Sequence, residues 1–306
     1  MTTKRSTLFI KLDGLGDWII FEYFLKQIQQ TIEGADLLIE SGCSEYIKGS
    51  VLNPSFSTVS SFNMRRNWVH SFFRRRNCYS IFEKIFVRTQ LRNLSREYES
   101  VIVSVWNSSL ERFIKNYLLS NLSCDRLFLP SQFGLDKYSC NLFRGEAEKL
   151  FLEAVFSTSL KPLVYSPINN KIRKIFIFAN SFKEKKRWPE ERYIQFSKWL
   201  LACGYNVSLW GLRCTKLPPN SFVKSGSIRE LAEDLKTSDV YLGNDTGVMH
   251  LAVQMKKRVV IINNGVYPNS FINYGGNPLE ILNGKDGKIE TVTLEELQTF
   301  FKKNIL

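Results

Sequence analysis

The stretch from Ser238 to Gly265, SDVYLGNDTGVMHLAVQMKKRVVIINNG, limits the possible folds more sharply than any other part of the chain. An apolar run, Val240 to Leu242, stops at Gly243. A helical spacing then carries Val248, Leu251, Ala252 and Met255, and a second apolar run, Val259 to Ile262, stops at Asn263-Asn264-Gly265. Two short strands around one helix make a βαβ unit with parallel strands, and ligands of such sheets sit beyond the strands' carboxyl ends. Gly243-Asn244-Asp245-Thr246-Gly247 falls there. Amides from Thr246 onward open the helix and favour an anion, and Gly247 lets backbone approach it closely. Asp245 repels a phosphate and suits sugar hydroxyls or the helix amides. A plain turn with Asp245 and Thr246 as helix caps accounts for the same residues.

The second half repeats this pattern. Lys174 to Ala179 reads as a strand, Pro189 to Leu201 as a helix with Pro189 in its first turn, and Tyr205 to Trp210 as a strand closing at Gly211. Ser227 to Leu235 is a helix leading into the βαβ stretch. The result is β-α-β-α-β-α-β, a doubly wound α/β sheet. Asn180, Ser181 and Gly211 follow strands, so they are candidates for the ligand side, although ordinary loop residues look the same. Thr293-x-x-Glu296 is a capping box for a last helix bearing Leu294, Leu297 and Phe301.

Lys161 to Arg173 carries two prolines, two asparagines and no periodicity, which places a boundary between domains at 1–166 and 171–306, with the last helix a candidate to pack back on the first. In the first half Thr7 to Leu12 is β-rich and ends in Asp13-Gly14-Leu15-Gly16-Asp17, ahead of a helix marked by Ile19, Ile20, Tyr23, Phe24 and Ile28. This is a second candidate site loop, with Asp17 aimed at the ligand or serving as an N-cap. Ala35 to Glu40 and Tyr98 to Trp106 read as buried strands, Ser108 to Leu122 and Gly145 to Val155 as helices.

The chain of 306 residues carries a formal charge of +13, which calls for an acidic partner. Between Phe62 and Arg96 stand nine Lys/Arg and one acid, so this segment holds +8 of the excess. Ser80 to Ser95 has helical spacing with a basic stripe. Arg65, Arg66, Arg74, Arg75 and Arg76, beside Trp68, Phe72 and Phe73, favour an anion or membrane-surface site over a merely solvated face. No apolar run approaches a membrane span, and no secretory signal is evident at the start. Six cysteines without CxxC spacing read as reduced packing residues, which makes the cytoplasm the default compartment. With two histidines and no HxxxH, CxxC or DxD spacing, a bound metal has little support. No Walker or GxSxG sequence occurs.

Three motifs stand in fixed order: Lys11-x-x-x-Leu15-Gly16-Asp17, Lys186-Arg187-Trp188-Pro189-x-Glu191-Arg192, and Gly243-Asn244-Asp245-Thr246-Gly247-x-x-His250-Leu251-Ala252. Together they resemble glycosyltransferase family 9, the ADP-heptose:lipopolysaccharide heptosyltransferases, and the basic segment matches heptosyltransferase I-type members in position and composition. The resemblance implies a GT-B architecture, two Rossmann-like domains facing a cleft, the first for acceptor and the second for nucleotide sugar. It implies an inverting, metal-independent transfer of heptose from ADP-heptose, with no cofactor beyond that donor, to an anionic, phosphorylated glycolipid acceptor. The setting would be cytoplasmic and peripheral, on the inner face of the inner membrane, with no nucleic acid as partner.

By motif, Asp17 matches the general base. Lys186 matches the lysine on the donor diphosphate, and Asp245, Thr246, Gly247 and His250 match the donor loop. Residue by residue, Lys186 is otherwise a solvated member of the Lys183 to Arg187 cluster, and His250 a packed histidine. Three departures stand out. Asp13-Gly14 replaces small hydroxyl residues, so Asp13 competes with Asp17 as base or sugar ligand. The loop after Gly211 offers no Glu for a ribose, and Val105-Trp106-Asn107-Ser108 replaces Asp-x-Gln-Gly. The rival functions are the same fold using another nucleotide sugar on a capsule, O-antigen or glycoprotein acceptor, and a non-catalytic nucleic-acid or membrane-binding protein.

Overall fold

A computed structural model describes residues 5–48, 53–62, 97–106, 111, 114–115, 122–135, 144–168, 171–181, 184–212, 222–265, 274–276 and 279–306. Arg65, Arg66, Arg74, Arg75 and Arg76, the helix expected over 80–95, and most of that expected over 108–122 lie outside the described residues. The chain divides into two compact units, Met1–Pro162 and Leu163–Leu306.

The first unit contains β1 (Arg5–Lys11), α1 (Leu15–Leu25), β2 (Ala35–Glu40), α2 (Ser44–Lys48), β3 (Phe56–Phe62), β4 (Glu97–Val103), β5 (Ser123–Phe128) and α3 (Arg144–Phe156). The strands form one sheet in the order β3-β2-β1-β4-β5, every pair parallel. All six residues of β2 are buried, and so are Leu8, Phe9 and Ile10 of β1, because a parallel sheet is covered on both faces. Alternation decides which cover each side chain meets. Leu8 and Ile10 pack with Leu38, Val101 and Val103 on one face, whereas Phe9 meets Phe21 of α1 and Phe156 of α3, with ring centroids 6.1 Å away in each case. Since β2 lies on one side of β1 and β4 on the other, the chain changes direction between them. The crevice of this topology opens where β1 and β4 end.

The second unit contains β6 (Val164–Tyr165), β7 (Lys174–Phe178), α4 (Glu190–Ala202), β8 (Asn206–Trp210), β9 (Val223–Lys224), α5 (Ile228–Lys236), β10 (Val240–Gly243), α6 (Gly247–Gln254), β11 (Arg258–Asn263), β12 (Gly275–Gly276), β13 (Glu280–Asn283) and α7 (Leu294–Asn304). Its main sheet runs β13-β11-β10-β7-β8-β9, again all parallel, with β6 and β12 paired separately. Here the direction changes between β7 and β10. Tyr193, Phe196, Ser197 and Leu200 recur at helical spacing on α4 and turn inward toward Ile175, Ile177 and Leu242. Burying each large apolar side chain contributes roughly 1.5–3 kcal/mol. Ser227 and Glu230 form a capping box on α5, and Thr293 and Glu296 form the expected one on α7.

The apolar face of α7 belongs to the second unit's core: Leu297, Phe301 and Ile305 join it, and the Phe301 ring meets Phe196 edge-on at 4.9 Å. Pro189 occupies the N-cap of α4, one residue earlier than a first-turn position. Among the described residues no helix is long and apolar enough to cross a membrane.

Candidate functional site

In the first unit the crevice at β1 and β4 is filled by charge. Lys11, the last residue of β1, has a fully buried side chain and donates to Glu148 Oε2 of α3 at 3.0 Å and to Ser104 Oγ at 3.1 Å. Glu148, itself fully buried, also accepts from the Ser104 hydroxyl and from Trp106 Nε1 at 2.6 Å. A buried ion pair needs such extra hydrogen bonds to offset the loss of water around two charges. Lys11 Nζ also lies 3.3 Å from Asp13 Oδ2 in the loop that follows. One helical turn before Glu148, Arg144 sends Nη1 to within 3.3 Å of Asp17 Oδ1 and stacks its guanidinium over Trp106, 5.3 Å from the ring centroid.

These contacts set the titration of the loop. Burial works to lower the Lys11 pKa, but Glu148, Asp13 and Asp17 outweigh it and the pKa is raised, so the ammonium is firmly held. Burial pushes the Asp13 carboxyl up to about 6, against Lys11, with the Asp17 charge adding to the rise. Asp17 is the third residue of α1, and Gly14 occupies the N-cap, so Asp17 is no capping residue. It stands about a third exposed.

In the second unit the two strands flanking the change of direction, β7 and β10, deliver the other loop. Gly243 is a glycine because a Cβ there would come within 2.5 Å of Tyr241 Oη and 2.8 Å of Phe178 O. Asn244 is fully buried: its Oδ1 accepts from Tyr193 Oη at 3.1 Å and its Nδ2 donates to Ile262 O at 3.1 Å. The loop is thereby pinned to α4 and β11. Thr246 sits at the N-cap position of α6, yet its side chain makes no capping bond; the Met249 amide donates to Thr246 O at 3.1 Å, which leaves the amides of Gly247 and Val248 for another partner. Lys186 ends a short turn, Glu184–Lys186, and its ammonium pairs with the Asp245 carboxylate. Both side chains are about 15% exposed, the Lys at 14% and the Asp at 16%, so Lys186 is not a solvated charge.

The rest of the Lys186 to Arg192 motif is structural. Trp188 is fully buried and donates from Nε1 to Val292 O at 2.7 Å, while Arg192 Nη1 donates to the same carbonyl at 2.8 Å. The motif thus ties α4 to the approach to α7 and thereby places Lys186.

Of the donor-side candidates, Lys186, Asp245, Thr246 and Gly247 come together. Asn180 and Ser181 follow β7 in the same crevice, where Ser181 O accepts from Arg187 Nε at 2.5 Å. Gly211 follows β8 with φ +81°, and a Cβ there would lie 2.9 Å from Asn180 Cβ, so packing alone explains the glycine. His250 is half-buried on α6, and its Nδ1 contacts the Tyr274 hydroxyl. In the first unit, Asp13 and Asp17 share one cluster. Sequence reasoning missed Ser104, Trp106, Arg144 and Glu148. The one signal was Lys11 itself, a lysine closing an otherwise buried strand, which demands a carboxylate from elsewhere in the chain.

No protein-family profile and no curated protein sequence matches this chain. Its fold, however, is shared with solved glycosyltransferases. The structure of the Escherichia coli heptosyltransferase WaaC with ADP-2-deoxy-2-fluoro heptose superposes with a TM-score of 0.71 at 15% identity, covering 98% of this chain and 99% of that one. A glycosyltransferase family 9 protein from Veillonella parvula gives 0.62 at 14% identity over 99% and 98%. The E. coli ADP-heptose lipopolysaccharide heptosyltransferase II gives 0.56 at 14% over 98% and 100%. The chain therefore has the α/β fold of the GT-B glycosyltransferases, as two doubly wound units in series.

Proposed function

We propose that the protein is an inverting, metal-independent glycosyltransferase that moves heptose from ADP-heptose to a phosphorylated glycolipid of the lipopolysaccharide inner core. The observation that carries this reading is the Lys186 ammonium held beside the uncapped amino end of α6, at the strand ends where a doubly wound sheet takes its ligand. The full-length likeness to heptosyltransferases, one of them solved with an ADP-heptose analogue, supports the choice of donor.

In this reading the acceptor hydroxyl attacks the anomeric carbon as the bond from that carbon to the diphosphate oxygen breaks. Asp17 takes the hydroxyl proton. The leaving ADP gathers negative charge, which Lys186 and the amides at the start of α6 neutralise without a metal or other cofactor. The diphosphate thus takes Lys186 from Asp245, which frees Asp245 to accept from sugar hydroxyls with Asn180, Ser181, Thr246 and His250 nearby. Asp13 stands beside the base: its carboxyl lies 3.3 Å from the Lys11 ammonium and is 10% exposed, whereas Asp17 is 31% exposed and so the more open to an acceptor hydroxyl. Arg65, Arg66, Arg74, Arg75 and Arg76 supply cations for the acceptor phosphates at the inner face of the inner membrane.

The test is release of ADP from ADP-heptose in the presence of a phosphorylated inner-core acceptor. Release that Asp17→Ala abolishes supports the proposal. Release from UDP- or GDP-sugars instead would replace the donor, and no release from any of them would end the transferase reading.

A further inference from the structure

The buried ion pair of Lys11 and Glu148 is an odd choice if it serves stability alone. An apolar pair of similar volume at such a place is commonly as stable or more so. Its location also argues otherwise: it lies at the carboxyl ends of β1 and β4, and each ionic contact continues outward to a loop carboxylate. Lys11 reaches on to Asp13. Arg144, on the same helix as Glu148, reaches Asp17.

We propose that α3 is the positioning element of this carboxylate pair: Glu148 fixes Lys11 against Asp13, and Arg144, braced on Trp106, fixes Asp17. The assignment rests on the transferase reading for its consequence, since it says what aims the base. Neither residue needs to touch the reacting atoms. Glu148 acts through Lys11, with Ser104 and Trp106 filling its other acceptor positions so that it cannot rotate away. Arg144 keeps 19% of its side chain exposed, and thermal melting of its variants separates a loss of positioning from a loss of fold. The charged groups that face Asp13 come from three elements: Lys11 from β1, Asp17 from α1, and Arg144 and Glu148 from α3.

The geometry makes two consequences separable. Removing the Arg144 guanidinium loosens Asp17 without touching donor binding, and a misaimed base of this kind lowers turnover by roughly 100-fold. Removing the ion pair as a whole, in Lys11→Met with Glu148→Gln, keeps the volume and the acceptor for Trp106 while stripping Asp13 of its cation. The lost cation outweighs the lost, more distant carboxylate, so Asp13 then holds its proton to higher pH, by about 1–3 units.

The experiment measures kcat and KM for ADP release, thermal melting, calorimetric ADP binding, and the carboxyl titration of carbon-13-labelled Asp13 by NMR. The parent, Arg144→Gln, Arg144→Lys and the double variant are compared. The expected result is that Arg144→Gln loses kcat with ADP affinity unchanged, Arg144→Lys regains part of it, and the folded double variant shows the upward shift of Asp13. Undiminished kcat in Arg144→Gln overturns the role of Arg144, and an unmoved Asp13 titration overturns that of the ion pair. The NMR arm needs no turnover, so a parent without transfer activity defeats the transferase reading, and with it the role of Arg144 in aiming a base, while the role of the ion pair is still judged.

Discussion

The two candidate loops occupy equivalent places in their sheets, yet they are held in opposite ways. The Asp13 to Asp17 loop hangs on charge: a fully buried ammonium and carboxylate beneath it, and a guanidinium against its far end. The Gly243 to Gly247 loop hangs on neutral hydrogen bonds, with Asn244 between Tyr193 and Ile262 and the Tyr241 hydroxyl donating to Asn244 O at 3.2 Å. Its charges, Lys186 and Asp245, sit at the rim. Charges below a loop fix the protonation and aim of the carboxylates above them, which suits a base. Charges at a rim can exchange partners, which suits a site that must seize and release a diphosphate.

The sharpest way to separate the two loops is Asp17→Ala. It is expected to lower turnover by about 10²–10⁴-fold while ADP affinity and melting temperature stay at parental values, checked by ADP-release kinetics and calorimetry. A comparable loss of ADP binding would erase the distinction.

The next largest effect concerns pH. Asp13 has an ordinary pKa of 3.8 and one of about 6 in the fold, so between these values the folded chain holds a proton that the unfolded chain has released. Stability therefore falls as pH rises through that window and is flat above it, a loss of about 2–3 kcal/mol. Asp13→Asn should match the parent near the lower limit and exceed it by that amount at pH 7, read from urea unfolding at both values. A parental pH profile in the variant would show that Asp13 is not the group responsible.

Lys186→Ala should weaken ADP binding by about 10–100-fold, the worth of a hydrogen bond to a charged group, without changing the Asp13 titration. A change in that titration would couple the two loops that the comparison separates. The smallest effect is a control outside both: Thr293→Ala should cost about 1 kcal/mol in unfolding free energy through loss of the α7 cap and leave ADP affinity and kcat alone.

The same contrast explains what the sequence disclosed. The Gly243 loop was legible because its punctuation is local: an apolar run, a glycine, an amphipathic helix and another apolar run, observed as β10, α6 and β11. Its neutral anchors are neighbours too, since Tyr241 and Asn244 are three residues apart. The carboxylate site was half legible. Asp13 and Asp17 follow a visible strand, but Glu148 meets Lys11 across 137 residues and Trp106 across 42, and no spacing rule reaches so far. Among strands, the buried β2 is legible over all of Ala35–Glu40, while β3 and β5 are not. They are the edges of their sheet, and FSTVSSF and SCDRLF carry too many polar residues to read as apolar runs.

Calorimetric titration of the protein with ADP, UDP and GDP, with Lys186→Ala beside it, tests directly whether the Gly243 loop and Lys186 form a nucleoside-diphosphate site. Binding of ADP in preference to the other two, weakened in Lys186→Ala, is the predicted result. ADP affinity that is unchanged in Lys186→Ala, or absent from the parent, would contradict it.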